Sequence, residues 1–229
     1  MGWLYFDYYY LILVIPAMIF SLIASVGVKT AYKTQSKLRN IRGLTGADAA
    51  RYVLNFYGIT DVSITSIEGN LTDHYDPTSK ILCLSRAVYS GDSIAAVGIA
   101  CHEVGHAIQH NKGFLPIKIR MALVPVCNIG SKLGIPIALI GYVLGFEPLI
   151  SIGLLLYALI AVFQFITLPV EFDASSRALK VIEEQGLLSD EEMPGVRKVL
   201  RAAAMTYVAA LVSALANLLR LVLNFRNRK

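Results

Sequence analysis

Charge is scarce in this 229-residue sequence: Asp, Glu, Lys and Arg together make up 16% of it, against roughly a quarter in an ordinary soluble domain. Hydrophobic residues fill 55% and the mean hydropathy is +0.58, which points to a membrane protein. Cysteine is nearly missing. Cys83, Cys101 and Cys127 are odd in number and form no CxxC pair, which excludes a disulfide framework and fits reduced thiols. Cys101 reads as a small buried residue. There is no internal repeat, no low-complexity tract and no nucleic-acid-binding motif. The net charge of +5 is therefore read as topology signal and contact with an anionic lipid bilayer, with no nucleic acid as partner. The N-terminus also lacks the basic start of a cleaved signal peptide.

Long apolar runs are present instead. Tyr8 to Val28 carries no charge and is long enough to cross a bilayer core at about 1.5 Å per residue. Lys29, Lys33, Lys37, Arg39 and Arg42 follow it with no acidic residue between them, whereas only Asp7 precedes it. The positive-inside rule then places the chain after Val28 in the cytoplasm. Met121 to Phe146 and Leu149 to Leu168 form two further runs, separated by Glu147 and Pro148, and read as a helical hairpin. Lys132 within the first of them either snorkels or precedes the true start of the span. A last run, Ala202 to Leu219, leads into a basic tail. It either spans, or instead lies along the interface or packs on the hairpin.

The expected organisation is an N-terminal transmembrane anchor over residues 1–28, a cytoplasmic part over 29–120 and a transmembrane hairpin over 121–168. A second cytoplasmic segment covers 169–201, and a C-terminal apolar helix with its basic tail covers 202–229. Within 43–118 the pattern is mixed. Thr45 caps a helix running to Phe56, which Gly58 ends. Val62–Ile67 and Ile81–Ser85 read as strands, with a turn-rich stretch between them. Asp92 or Ser93 starts a second helix that reaches His110 and stops at Gly113. Glu183, Glu184, Asp190, Glu191 and Glu192 read as a solvated face. The fold class is thus mainly α: a multi-pass helical membrane protein with a small α+β zincin-like catalytic unit.

Residues 102–106 read HEVGH. On a helix, positions four apart share a face, so His102 and His106 can both offer a ring nitrogen to one ion. Zinc suits two such nitrogens plus a carboxylate oxygen, with water in the fourth position. Glu103 stands one step round the helix, placed to take a proton from that water as general base. The chain has four histidines, and two of them are here. Gly105 lets another backbone approach. His110 could extend the face but reads better as a histidine at the helix end, and His74 reads as non-ligating. The third ligand must come from the same side of the membrane. Glu171 lies beyond the third apolar run, and two crossings separate it from His106, so the hairpin returns it to that side. Asp173 is either the rival ligand or the group that orients a ligating histidine. Arg177 and Tyr207 are candidate second donors to an oxyanion, each equally readable as structural. Ile81–Ser85 is a candidate edge strand for holding a peptide.

The blocks LTGADAAR (44–51), LTDHYDP (71–77), HEVGHAIQH (102–110), LPVEFDASSRA (168–178) and AAAMTYVAAL (202–211) resemble the YugP-type membrane zinc metallopeptidases of bacteria over nearly the whole chain. That family is in turn similar to HtpX-type and CAAX-prenyl-type membrane proteases, whose third ligand is a glutamate after the membrane hairpin. The resemblance implies a gluzincin-like zinc endopeptidase of the bacterial plasma membrane. It also implies Glu171 as third ligand and a membrane-associated protein or peptide substrate. Those relatives carry an aspartate one turn beyond the glutamate, where this chain has Ser175. Two other readings of the centre are a non-peptidase zinc hydrolase, and a membrane scaffold or regulator that binds zinc without turnover.

Overall fold

A computed structural model describes residues 7–226. A π-helical turn, Tyr10–Val14, leads into α1 (Ile15–Gln35). Then follow α2 (Gly46–Phe56), β1 (Ser63–Ile67), β2 (His74–Asp76), β3 (Ile81–Ser85) and α3 (Arg86–Tyr89). The remainder is helical: α4 (Ile94–Asn111), α5 (Leu115–Val143), α6 (Glu147–Glu184) and α7 (Met193–Arg226). The molecule is a mainly α membrane protein with a small α+β part. Four helical segments, Tyr10–Gln35, α5, α6 and Met193–Phe225, are long and apolar enough to cross a bilayer. The chain forms two compact units.

The first unit holds Met1–Ser25, Ile119–Leu168 and Thr206–Lys229. Its α5 and α6 pair as a hairpin about a turn in which Gly145 has φ +65°. Close contact depends on small residues: a Cβ on Gly134 would stand 3.0 Å from the Gly153 carbonyl oxygen, and one on Gly153 would collide with the Ala138 nitrogen. Glu147 and Pro148 do not break the structure for long. They begin α6, because a proline in the first turn sacrifices no intrahelical hydrogen bond. Helix α5 starts at Leu115, earlier than the apolar run predicts. Helices α1 and α7 run antiparallel. Ser21 Oγ and Ser213 Oγ are 2.9 Å apart, and Asp7 Oδ2 accepts from Arg220 Nε at 2.6 Å and from Asn224 Nδ2 at 3.0 Å.

The second unit holds Val26–Lys118 and Pro169–Met205. Thr45 caps α2 in a capping box with Asp48, and Gly58 (φ +67°) follows its end. The sheet order is β1-β3-β2, with β1 and β3 parallel and β2 and β3 antiparallel. This corrects one expectation: Ile81–Ser85 is the central strand, paired on both sides, so it has no free edge. β2 falls in the stretch read as turn. Its three residues, His74, Tyr75 and Asp76, are too polar and too few for alternation to show. The turn after it is closed by Asp76, which accepts from Thr78 N at 2.8 Å and Ser79 Oγ at 2.6 Å. Val53, Leu82, Leu84, Val97, Val104, Val181 and Val196 are fully buried together, gathering α2, β3, α4, α6 and the start of α7 into one core. Glu192 departs from the solvated reading of the acidic patch. It is buried and accepts from Ile41 N and Ser189 N, both at 2.8 Å.

Candidate metal centre

Ser93 opens α4 by accepting from Ala96 N at 3.1 Å. Its 18 residues then carry His102, Glu103 and His106 through the core. The two imidazole rings lie edge to face, with centroids 4.9 Å apart. Helix α6 brings a second set. Val170, Glu171, Ala174 and Ala178 are buried and share one helical face. Contact is close because Gly105 has no side chain: a Cβ there would stand 2.7 Å from the Ala174 carbonyl oxygen.

That approach sets Glu171 Oε2 3.3 Å from His102 Nε2 and 3.6 Å from His106 Nε2. The donor atoms of the three residues all fall within 4.8 Å of one another, and among the described residues they are the one group so arranged. Two nitrogens and one carboxylate oxygen match a zinc site that keeps a position for water.

The surroundings test the fit. Gln109, fully buried, donates from Nε2 to Val170 O at 2.7 Å and to Asp173 Oδ2 at 2.8 Å. Neither partner can donate, so the amide orientation is fixed and Gln109 Oε1 is an acceptor. It stands 3.0 Å from His106 Nδ1, which must therefore carry the proton. His106 Nε2 then presents a lone pair, as a metal ligand requires. His102 Nδ1 meets Ser175 Oγ at 3.1 Å. The residues present fit a divalent metal of the zinc type.

The carboxylates and imidazoles also act on one another's charge. Burial works against charge on Glu171, but the two imidazoles of His102 and His106 close to its carboxylate outweigh it and hold the carboxyl well below the usual range. For His106, burial opposes protonation, and the nearby Glu171 and Glu103 carboxylates overcome it and raise the ring. Glu103, nearly buried, is pushed up by burial against the pull of both histidines.

The other sequence candidates fall as follows. Asp173 is not in the donor group. It receives Arg177 Nε at 2.5 Å and Nη2 at 3.2 Å and stands behind Gln109. Arg177 is thereby committed to Asp173, with its guanidinium 5.8 Å from the Phe114 ring centroid. Tyr207 lies on α7 within the first unit. His110 Nδ1 is 3.1 Å from Tyr75 OH, and His74 bonds the Thr72 carbonyl region at 2.8 Å. Neither joins the group. Gln109 and Ser175 escape sequence reading as functional residues. The spacing His106–Gln109, one turn apart on α4, is the available signal for the first.

A helical membrane protein with a buried His-His-Glu donor set is the class this geometry defines. The chain belongs to the family described as "Putative neutral zinc metallopeptidase", whose pattern covers residues 10–226. It is similar to the "Putative membrane protease YugP" of Bacillus subtilis (strain 168), with 44% identity over 218 residues, 95% of this chain and 97% of the relative. No solved structure matches the chain significantly.

Proposed function

We propose that the protein is a membrane-embedded, zinc-dependent endopeptidase. The observation that carries this is the convergence of His102, His106 and Glu171 donor atoms beside a nearly buried glutamate on the same helix. His102, His106 and Glu171 hold the metal. Bound there, zinc supplies a Lewis acid that polarises the scissile carbonyl and acidifies a water. Glu103 takes the proton of the attacking water as the C–O bond forms, and returns it to the amide nitrogen as the C–N bond breaks. Its burial-raised affinity for protons suits both halves of that task.

The substrate is a protein or peptide in extended form. β2 is an edge strand packed against α4, and Asp73, just before it, is close enough for its charge to act on Glu103. Its open edge suits a peptide added as a further strand.

The protein is multi-pass in the bacterial plasma membrane, with the centre on the cytoplasmic side. The pairing of Asp7, before α1, with Arg220 near the end of α7, and of Tyr142 with Phe225 at the ends of α5 and α7, 5.8 Å between ring centroids, supports α7 as a fourth crossing. Residues 1–28 anchor the chain, 121–168 form the hairpin, 202–229 close the membrane part, and 29–120 with 169–201 carry the chemistry.

The test is cleavage of unstructured proteins by purified enzyme beside Glu103→Gln. The reading expects activity in wild type and a loss of about 100-fold or more in the variant, with zinc retained. Cleavage persisting in Glu103→Gln overturns the mechanism.

A further inference from the structure

We infer that Gln109 is the positioning residue of the centre, the single side chain that fixes His106 as a ligand and ties it to the helix bearing Glu171. The inference rests on the zinc reading above. Every polar atom of the Gln109 amide is used. Oε1 takes His106 Nδ1–H at 3.0 Å, and the two N–H groups go to Val170 O at 2.7 Å and Asp173 Oδ2 at 2.8 Å. The Val170 carbonyl is the backbone group next to Glu171. One amide therefore sets the ring of one ligand from α4 and the backbone beside another from α6.

The line continues outward. Asp173 is clamped by both Nε and Nη2 of Arg177, a two-point contact that holds its carboxyl in place against Gln109. A carboxylate that accepts from an amide strengthens the amide carbonyl as an acceptor in turn, so the His106 Nδ1–H is held more firmly in place.

His102 is held differently. Its Nδ1 faces Ser175 Oγ, and a hydroxyl both donates and accepts. Ser175 can therefore support either ring tautomer, whereas Gln109 enforces one. The aspartate expected one turn beyond Glu171 is absent, and Asp173 acts instead through Gln109 upon the other histidine.

The experiment compares full-length wild type, Gln109→Leu, Ser175→Ala and Asp173→Asn in detergent. Zinc affinity is measured by chelator competition, and ligand geometry by the visible absorption of the cobalt-substituted protein. Gln109→Leu should lower zinc affinity about 10- to 100-fold and alter the cobalt spectrum, and Ser175→Ala should lose less. Asp173→Asn preserves shape and guards against a Gln109 variant that fails to fold. It should weaken zinc in the same direction and shift the cobalt bands. Wild-type affinity and spectrum in Gln109→Leu, equal losses in Gln109→Leu and Ser175→Ala, or an unaffected Asp173→Asn would overturn the assignment. A wild type that takes up no zinc strikes the functional reading itself and is thereby distinguished.

Discussion

Gly105 on α4 passes Ala174 on α6 so closely that a Cβ on the glycine would stand 2.7 Å from the alanine carbonyl oxygen and 3.1 Å from its Cα. The obstacle is backbone, which cannot swing aside as a side-chain tip would. The HEVGH helix and the Glu171 helix therefore meet only because the fourth residue of the motif has no side chain.

Gly105→Ala forces the two helices apart. It should cost about 1–3 kcal/mol of stability by overpacking and weaken zinc more than a comparable change remote from the centre. Thermal unfolding and chelator competition on the same preparation check this. A Gly105→Ala protein with unchanged zinc affinity would show that the approach is not what sets the donor spacing.

Cys101 should be chemically inert although it adjoins His102. It is completely buried, and burial pushes its thiol up to about 12. The thiolate is the reactive form, so at pH 8 it is scarcely populated, and its fraction grows only as pH rises toward that value. Maleimide at pH 8 should label half-buried Cys83 first and reach Cys101 only after denaturation. Equal labelling rates in the folded protein would contradict the burial.

Helix α7 should cross the membrane fully. A phosphatase reporter fused after Phe225 should be active outside the cell, and one fused after Gln185 inactive. Inactivity at both positions would place α7 along the interface instead.

The parts of this molecule that were legible in its sequence are those where one residue's role is local. The Thr45 cap, the Gly58 and Gly113 stops and the His102–His106 spacing each follow from helix geometry within a turn or two. The nearness of Glu171 to the two histidines was legible through connectivity, because a helical hairpin brings the chain back to where it started. Gln109 was not: a glutamine on a helix is usually a solvent-facing residue, and only the arrival of Val170 and Asp173 from α6 makes it buried and fully bonded. The order of the strands was equally hidden. Ile81–Ser85 is apolar whether central or at an edge, and its position depends on β2, whose strand character comes from pairing with β3 and not from its own residues. The boundary after Leu168 was also invisible in the fold, since α6 runs on without interruption to Glu184 as its surroundings change from apolar to polar.

Metal analysis of the purified protein by inductively coupled plasma mass spectrometry tests the central claim most directly, with His106→Ala and Glu171→Gln prepared alongside. The account predicts about one zinc per wild-type chain and its loss in His106→Ala, with Glu171→Gln depleted under mild chelation. Wild type that carries no zinc and takes up none on addition, or variants that keep it at wild-type affinity, would contradict the account.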